Sequence, residues 1–447
     1  MTKKFVVKQG EVLKGSSLLK KNEKSLTRVE FISKFMNENK VFVFNKDKHK
    51  DEDVFLNNLK KEYLNYRKNW DNQPAQAIKN KYLSKDLQKK SVGPLCLDIE
   101  VASICDLACP FCFREFEATP DKIIDEQLCY KLIDQAAEMK IPSIKFNWRG
   151  EPLLHPKLPE FIKYAKMKGI LETIINTNAT HLNEKKSEEL IQAGLDFIIY
   201  SFDGGSKKTY EKMRPGRFKK NTFEKVYENI KNLKKVKEKL SSNLPYTKIQ
   251  MILTKETSKE VDSFFDYFSD YVDDVTTTPY TERGGEISDL NDKERETYSK
   301  ILRKNNLPEG THYIKDIFGN IQVSKGRIPC EQPYQRLLVT YEGKVAMCCY
   351  DWGAKHPVGF VDKKSFNNQK DYLSIMEQVK KKKKGFELLE NIKMPEVMNE
   401  PKKEIKNIKE IWFGREIDGI RKKHICNEAD DVKICSKCTF KDVFKWV

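Results

Sequence analysis

Between residues 95 and 278 the chain alternates two hydrophobic patterns. Short apolar, β-branched runs occur at Leu95–Val101, Ile144–Trp148, Leu171–Asn176, Phe197–Phe202, Lys248–Leu253 and Asp274–Thr278, and their length and composition predict buried strands. Between them, at Asp125–Glu138, Pro159–Lys168, Glu184–Ala193, Phe223–Leu240 and Lys259–Phe268, apolar residues recur every three or four positions, the period of an amphipathic helix. Six strands separated by helices predict an α/β fold with a parallel sheet, and six suit a partial (β/α)6 TIM-like barrel. In such barrels the chemistry sits at the C-terminal ends of the strands.

The flanks read differently. Residues 1–90 are polar, lysine-rich and mainly helical in pattern, with a helix around Phe55–Trp70, and form an N-terminal extension of unknown role. The barrel is expected over 91–283. From about Gly284 the alternation stops, and a hairpin signal appears at Tyr341-Glu342-Gly343-Lys344. A small C-terminal α+β domain is therefore expected over 284–447, with an insertion at about 363–406.

Composition narrows the classes. In 447 residues, 39% hydrophobic and 11% aromatic content is enough for real cores, which excludes a disordered chain. No window approaches the roughly 18 apolar residues of a membrane span, and Met1–Gly10 lacks a signal peptide's apolar run, so no membrane is implied and the default compartment is cytoplasmic. Lysines and arginines (83) outnumber acidic residues (66), for a net charge of +17. They are dispersed rather than clustered with aromatics, which argues for no nucleic-acid partner, and Lys380–Lys384 reads as a solvated helix end or loop. Eleven cysteines in a cytosolic chain favour metal ligation or catalysis over disulfides.

Cys105, Cys109 and Cys112 form C-x3-C-x2-C on a loop directly after the first strand. Three thiolates hold three irons of a [4Fe–4S] cube and leave the fourth open to another ligand. Structural zinc with a distant fourth ligand, or three merely buried cysteines, are the alternatives. The spacing, with the aromatic Phe111 before the last cysteine, resembles the radical S-adenosylmethionine (SAM) superfamily over Leu95–Thr278. That resemblance implies that the open iron chelates the amino and carboxylate groups of SAM. It also implies that one electron cleaves SAM to methionine and a 5′-deoxyadenosyl radical, which abstracts hydrogen from substrate, while the protein positions the reactants and tunes the cluster.

Arg149-Gly150-Glu151-Pro152, after the second strand, resembles the family's G-G-E-P segment that receives SAM's amino group, with Arg149 in place of the first glycine. The resemblance assigns Asn176, Asn178 and Ser201, at the ends of the third and fourth strands, to SAM's ribose. Arg214 or Arg217 would pair with its carboxylate.

Cys330, Cys348, Cys435 and Cys438 form a second set. Four thiolates close a site, suiting an electron-storing centre, although C-x2-C pairs serve structural zinc equally well. Pro329-Cys330, Gly343-x4-Cys348 and the terminal C-x2-C resemble the SPASM or shortened twitch extension of radical SAM enzymes, here implying one auxiliary [4Fe–4S] cluster. Cys349 adjoins a proposed ligand and is interchangeable with Cys348 at this stage; Cys349 and Cys426 are candidate hydrogen donors to a substrate radical, while Cys96 and Cys129 read as buried residues.

The resulting expectation is an oxidoreductase or isomerase that oxidises or epimerises a small polyhydroxylated substrate, such as a sugar, nucleotide sugar or aminocyclitol. The auxiliary cluster would relay electrons, a flavodoxin- or ferredoxin-type donor would supply them, and Arg149 is a candidate contact for an anionic substrate. A peptide maturase whose residues 1–90 bind a leader is the second expectation, and a non-catalytic iron–sulfur scaffold the third.

Overall fold

All six apolar runs form strands in the computed structural model, which describes residues 26–44, 51–279, 292–307, 313–315, 321–323, 329–366, 368–389, 392–436 and 438. They are β1 (Cys96–Ile99), β2 (Ser143–Lys145), β3 (Glu172–Thr177), β4 (Phe197–Ser201), β5 (Tyr246–Leu253) and β6 (Asp274–Pro279). Each pairs parallel with the next. Around them lie α4 (Glu126–Glu138), α5 (Leu158–Met167), α6 (Glu184–Gln192), α7 (Lys207–Met213), α8 (Phe223–Lys239) and α9 (Val261–Phe268), which follow α1 (Arg28–Phe35), α2 (Glu52–Lys79) and α3 (Ser84–Lys89). The fold is the mixed α/β partial barrel with a helical N-terminal part.

Strand alternation decides what each face holds. Leu97, Ile99, Ile144, Ile175, Ile198, Tyr200, Ile249, Met251 and Val275 share one core with helix residues such as Leu132, Phe161, Leu190, Val226 and Phe264. Asp98, Lys145, Asn176, Ser201, Lys248 and Gln250 alternate with them and turn to the barrel interior. The bottom of that interior is closed by α1 and α2. Asp51 caps α2 by accepting from the Val54 amide at 2.6 Å, and Phe55, Leu59, Tyr63 and Tyr66 place one apolar stripe against Ile174, Phe197, Leu244 and Tyr246. The hydroxyls of Tyr63 and Tyr66 donate to the buried Glu172 carboxylate at 3.2 and 2.9 Å. The extension is thus the floor of the barrel.

Beyond the barrel the chain rejoins the same sheet. The hairpin expected at 341–344 turns at Gly343, whose φ of +93° favours glycine. It links β9 (Arg336–Val339) to the antiparallel β10 (Lys344–Ala346), with β7 (Tyr313–Lys315) and β8 (Ile321–Val323) as a separate pair and β11 (Gly359–Phe360) at the sheet's edge. Because β9 pairs parallel with β1, these strands extend the sheet to nine, and Val339, Val345, Ile408 and Trp412 join the barrel's own core. The expected boundary at Gly284, like Met1–Gly10, lies outside the described residues. The 363–406 insertion folds back over the first cysteine loop. Its helix Gln369–Lys380 packs Tyr372 and Ile375 with Ala118, Phe386 and Leu389, while the Ala118 amide donates to the Lys393 carbonyl and the Lys393 amide to the Phe116 carbonyl. Lys380–Lys384 sits at that helix's exposed end. Among the described residues no helix is long and apolar enough to cross a membrane.

Replacing Tyr66 with Phe removes a hydrogen bond to a buried carboxylate, and a stability loss of about 1.5–3 kcal/mol is expected. Thermal melting of the Tyr66→Phe protein should show it as a lowered Tm.

Candidate active site

The C-x3-C-x2-C loop is held at the top of the sheet by tight backbone packing. A Cβ on Gly150 would stand 2.3 Å from the Ile104 carbonyl oxygen and 2.5 Å from that of Ala102, so the loop passes where only glycine leaves room. The Glu151 amide donates to the Ile104 carbonyl at 2.9 Å. Glu151 itself is buried and accepts from Thr177 Oγ1 at 2.6 Å, the Asn178 amide at 2.7 Å and the Leu153 amide at 3.1 Å. Burial pushes its carboxyl up to about 7, with Asp106 adding to the shift. The family-like turn therefore links the ends of β2 and β3 to the cysteine loop.

Asn178 donates to Asp106 Oδ1 at 2.9 Å and lies 3.9 Å from Cys105 Sγ. Arg214 stands over the Phe111 ring at 5.7 Å and pairs with Asp203 through Nε at 2.7 Å. Its charge opposes the burial that holds the Cys109 thiol well above its ordinary pKa. Burial likewise pushes Cys105 up to about 12. Arg217 is committed elsewhere: it grips Asp121 with two bonds of 2.7 and 2.8 Å and donates to the Gly385 carbonyl at 2.5 Å. Of the two arginines, Arg214 lies within electrostatic reach of Cys109, while Arg217 also touches the loop through a 3.4 Å bond to the Cys105 carbonyl. Ser201 ends β4 half-buried.

Buried acceptors without a partner in this region include Asn176 Oδ1 and Asn147 Oδ1, with Glu115 Oε1 and Asn221 Oδ1 beside the cysteine loop and Arg214. Buried polar oxygens are ordinarily satisfied, so these mark where a polar ligand belongs. The three thiols, the Arg214 cation and these orphaned oxygens suit a cluster with an open iron and a zwitterionic, ribose-bearing cofactor. Asn147 escaped sequence reasoning, although its place two residues past Lys145 on the interior face is a usable signal.

Arg149 departs from its expected role. Its side chain is fully buried and forms a two-pronged pair with Glu100 at 2.6 and 2.7 Å, with Glu342 at 3.8 Å and the Tyr372 hydroxyl at 3.3 Å. It has no surface for an anionic substrate; it ties β2 to β1 and to the C-terminal segment.

The second set gathers at the opposite end of β9. Cys330, Cys348, Cys435 and Cys438 line one small cavity of about 20 Å³, together with Met347, Tyr350 and His424. Cys348, not Cys349, faces that cavity. No cysteine is in a disulfide, and burial raises the Cys330 and Cys348 thiols far above their ordinary range. Neutral buried thiols around a void become thiolates readily only beside a metal, which suits the donor set. Among the described residues no three such groups converge on a single-ion position. Cys349 instead packs beside Trp148, whose Nε1 donates to its carbonyl at 3.1 Å, within electrostatic reach of Lys145 and Arg336. Cys426 is exposed at the end of the helix Arg415–Ile425 and does not line that cavity. Cys96 and Cys129 are buried.

This geometry has a counterpart in sequence. Residues 99–268 match the model of the Radical SAM superfamily, so the chain carries a radical SAM domain, a class whose cofactors are SAM and a [4Fe–4S] cluster on cysteines. Its relatives include a tungsten-containing aldehyde ferredoxin oxidoreductase cofactor-modifying protein of Pyrococcus furiosus, 28% identical over 37% of this chain and 45% of that protein. Another is a GTP 3′,8-cyclase of Chlorobaculum tepidum, 36% identical over 24% of this chain and 32% of the cyclase. The chain thus spans less than half of either relative. Among solved structures, BtrN in complex with AdoMet and 2-DOIA aligns over 79% of this chain and 99% of its own, at 16% identity and a TM-score of 0.40.

Replacing Arg149 with Met strands the Glu100 charge in the core. Thermal melting of metal-free protein should register a loss of about 3–5 kcal/mol, the scale for breaking a buried pair. Gly150→Ala should lower the iron bound by the first loop in quantitative iron analysis, because the loop must shift.

Proposed function

We propose that this protein is a radical SAM enzyme acting on a small polyhydroxylated molecule, such as a sugar, nucleotide sugar or aminocyclitol, by oxidation or epimerisation. The observation that carries the radical chemistry is a loop with three cysteines rather than four, beside the orphaned amide oxygens. Bound there, SAM and its cluster supply, on one-electron reduction, a 5′-deoxyadenosyl radical that removes a hydrogen atom. Glu151, Asn176, Asn178, Ser201 and Arg214 are the residues assigned to hold SAM, with Phe111 beneath Arg214.

The substrate reading is supported by the barrel interior. Lys145 lies opposite Asp98 on the neighbouring strand, and Arg336 donates to Asp98 at 3.0 Å. Burial lowers the Lys145 pKa, with Asp98 opposing and Arg336 adding to the effect, which favours its action as a base. In an oxidation the carbinol carbon would lose a hydrogen atom and Lys145 would accept the hydroxyl proton, while Cys330, Cys348, Cys435 and Cys438 would hold an auxiliary [4Fe–4S] cluster that would supply the acceptor for the remaining electron. In an epimerisation Cys349, near Lys145, returns the hydrogen instead. A flavodoxin or ferredoxin is the implied reductant, and the basic charge suits such acidic carriers.

A leader-binding maturase would offer an exposed strand edge in its N-terminal segment. The described residues of that segment are helices packed on the barrel floor, which favours the small-molecule reading.

Anaerobically reconstituted protein is expected to hold about eight irons and no zinc, and, with SAM and dithionite, to release 5′-deoxyadenosine; Cys109→Ala should release none. Adding sugars, nucleotide sugars and aminocyclitols in turn should raise that release several-fold for one of them. Stimulation only by a peptide would overturn the substrate reading, and no deoxyadenosine from wild type would overturn the radical chemistry.

A further inference from the structure

The cavity lined by Cys330, Cys348, Cys435 and Cys438 has a fifth polar wall, His424, which is 2% exposed. It comes from the helix Arg415–Ile425, which places it between two of the four cysteines. The Cys330 backbone amide donates to His424 Nδ1 at 3.3 Å. The other ring nitrogen, Nε2, stands 3.5 Å from Cys435 Sγ.

These two contacts fix the tautomer. A backbone amide only donates, so Nδ1 is an acceptor and carries no proton; the neutral imidazole then bears its hydrogen on Nε2. An Nε2 that bears hydrogen has no lone pair to offer a metal, which makes His424 a donor to the sulfur rather than a ligand. A 3.5 Å separation is ordinary for an N–H group reaching the larger sulfur atom.

We propose that His424 is a redox-positioning residue, donating a hydrogen bond from Nε2 to the Cys435 thiolate of the auxiliary cluster and holding that cluster's reduction potential up. This rests on the auxiliary-cluster reading above. A hydrogen bond to a ligating sulfur stabilises the more negative, reduced state, so the potential rises with it. The cluster thereby becomes a better acceptor for the electron that an oxidised substrate must give up. The same ring ties the Cys330 end of the site to the Cys435 end, fixing one sulfur against another element's backbone.

The test uses the full chain with Cys105, Cys109 and Cys112 all replaced by Ala, so that only the second centre remains, and reads its midpoint by EPR-monitored redox titration. His424→Asn keeps an acceptor near the Cys330 amide and lacks the reach to Cys435; His424→Gln restores an N–H donor at the longer reach. The Asn protein should keep about four irons with its midpoint lowered by about 59 mV, a tenfold shift in the one-electron equilibrium, and Gln should recover most of that shift. An unchanged midpoint in the Asn protein, with iron retained, overturns the role of His424 alone. Loss of iron in both His424 variants, with iron retained by their parent, makes the histidine part of the ligation and also overturns it. No iron in the parent triple-alanine protein overturns the auxiliary cluster itself, and the inference with it.

Discussion

The pairing of Arg149 with Glu100 underlies the whole arrangement. Both side chains are fully buried, and two charges so far from water persist only when geometry and hydrogen bonding satisfy them together. Glu100 also accepts from the Tyr341 amide at 3.1 Å, while Arg149 reaches Glu342 and Tyr372. One ion pair thereby joins the end of β1, the turn after β2, the hairpin of the C-terminal segment and the helix of the insertion. The cysteine loop begins a few residues beyond Glu100 and lies against Gly150, next to Arg149. The position of the cysteine loop is therefore set by a buried ion pair beside it.

From this constraint follows the relation of the two cysteine sets. Strands β1 and β9 run parallel and side by side; the first set follows the C-terminal end of β1, while Cys330 precedes the N-terminal end of β9 and Cys348 follows its antiparallel partner. The two cysteine sets lie at opposite ends of the same pair of strands. Asp98, Lys145, Arg336 and Cys349 occupy the interior between them.

The barrel was legible because each strand and helix there carries its own period, and all six runs are strands within a few residues of their expected bounds. The first cysteine loop could be read from spacing because a loop is local, whereas Cys330 and Cys348 meet Cys435 and Cys438 only through packing between distant segments. What escaped is what depends on packing between distant segments. The N-terminal extension reads as polar, lysine-rich and mainly helical, but its role as the barrel floor appears only through Tyr63 and Tyr66 meeting Glu172. Arg149 looked like a ligand contact because its partner Glu100 lies 49 residues away. His424 carries no spacing signal at all, since its contact with Cys330 spans 94 residues. The expected separate C-terminal domain instead contributes strands to the same sheet, because β9 finds an open edge on β1.

The central claim is an iron left without a protein ligand at the loop of Cys105, Cys109 and Cys112. Electron–nuclear double resonance on the reduced protein, given SAM labelled with nitrogen-15 at its amino group, tests this at the atom concerned. A nitrogen hyperfine coupling to the cluster spin is the predicted result. A reduced cluster that shows no such coupling with saturating SAM would contradict the account.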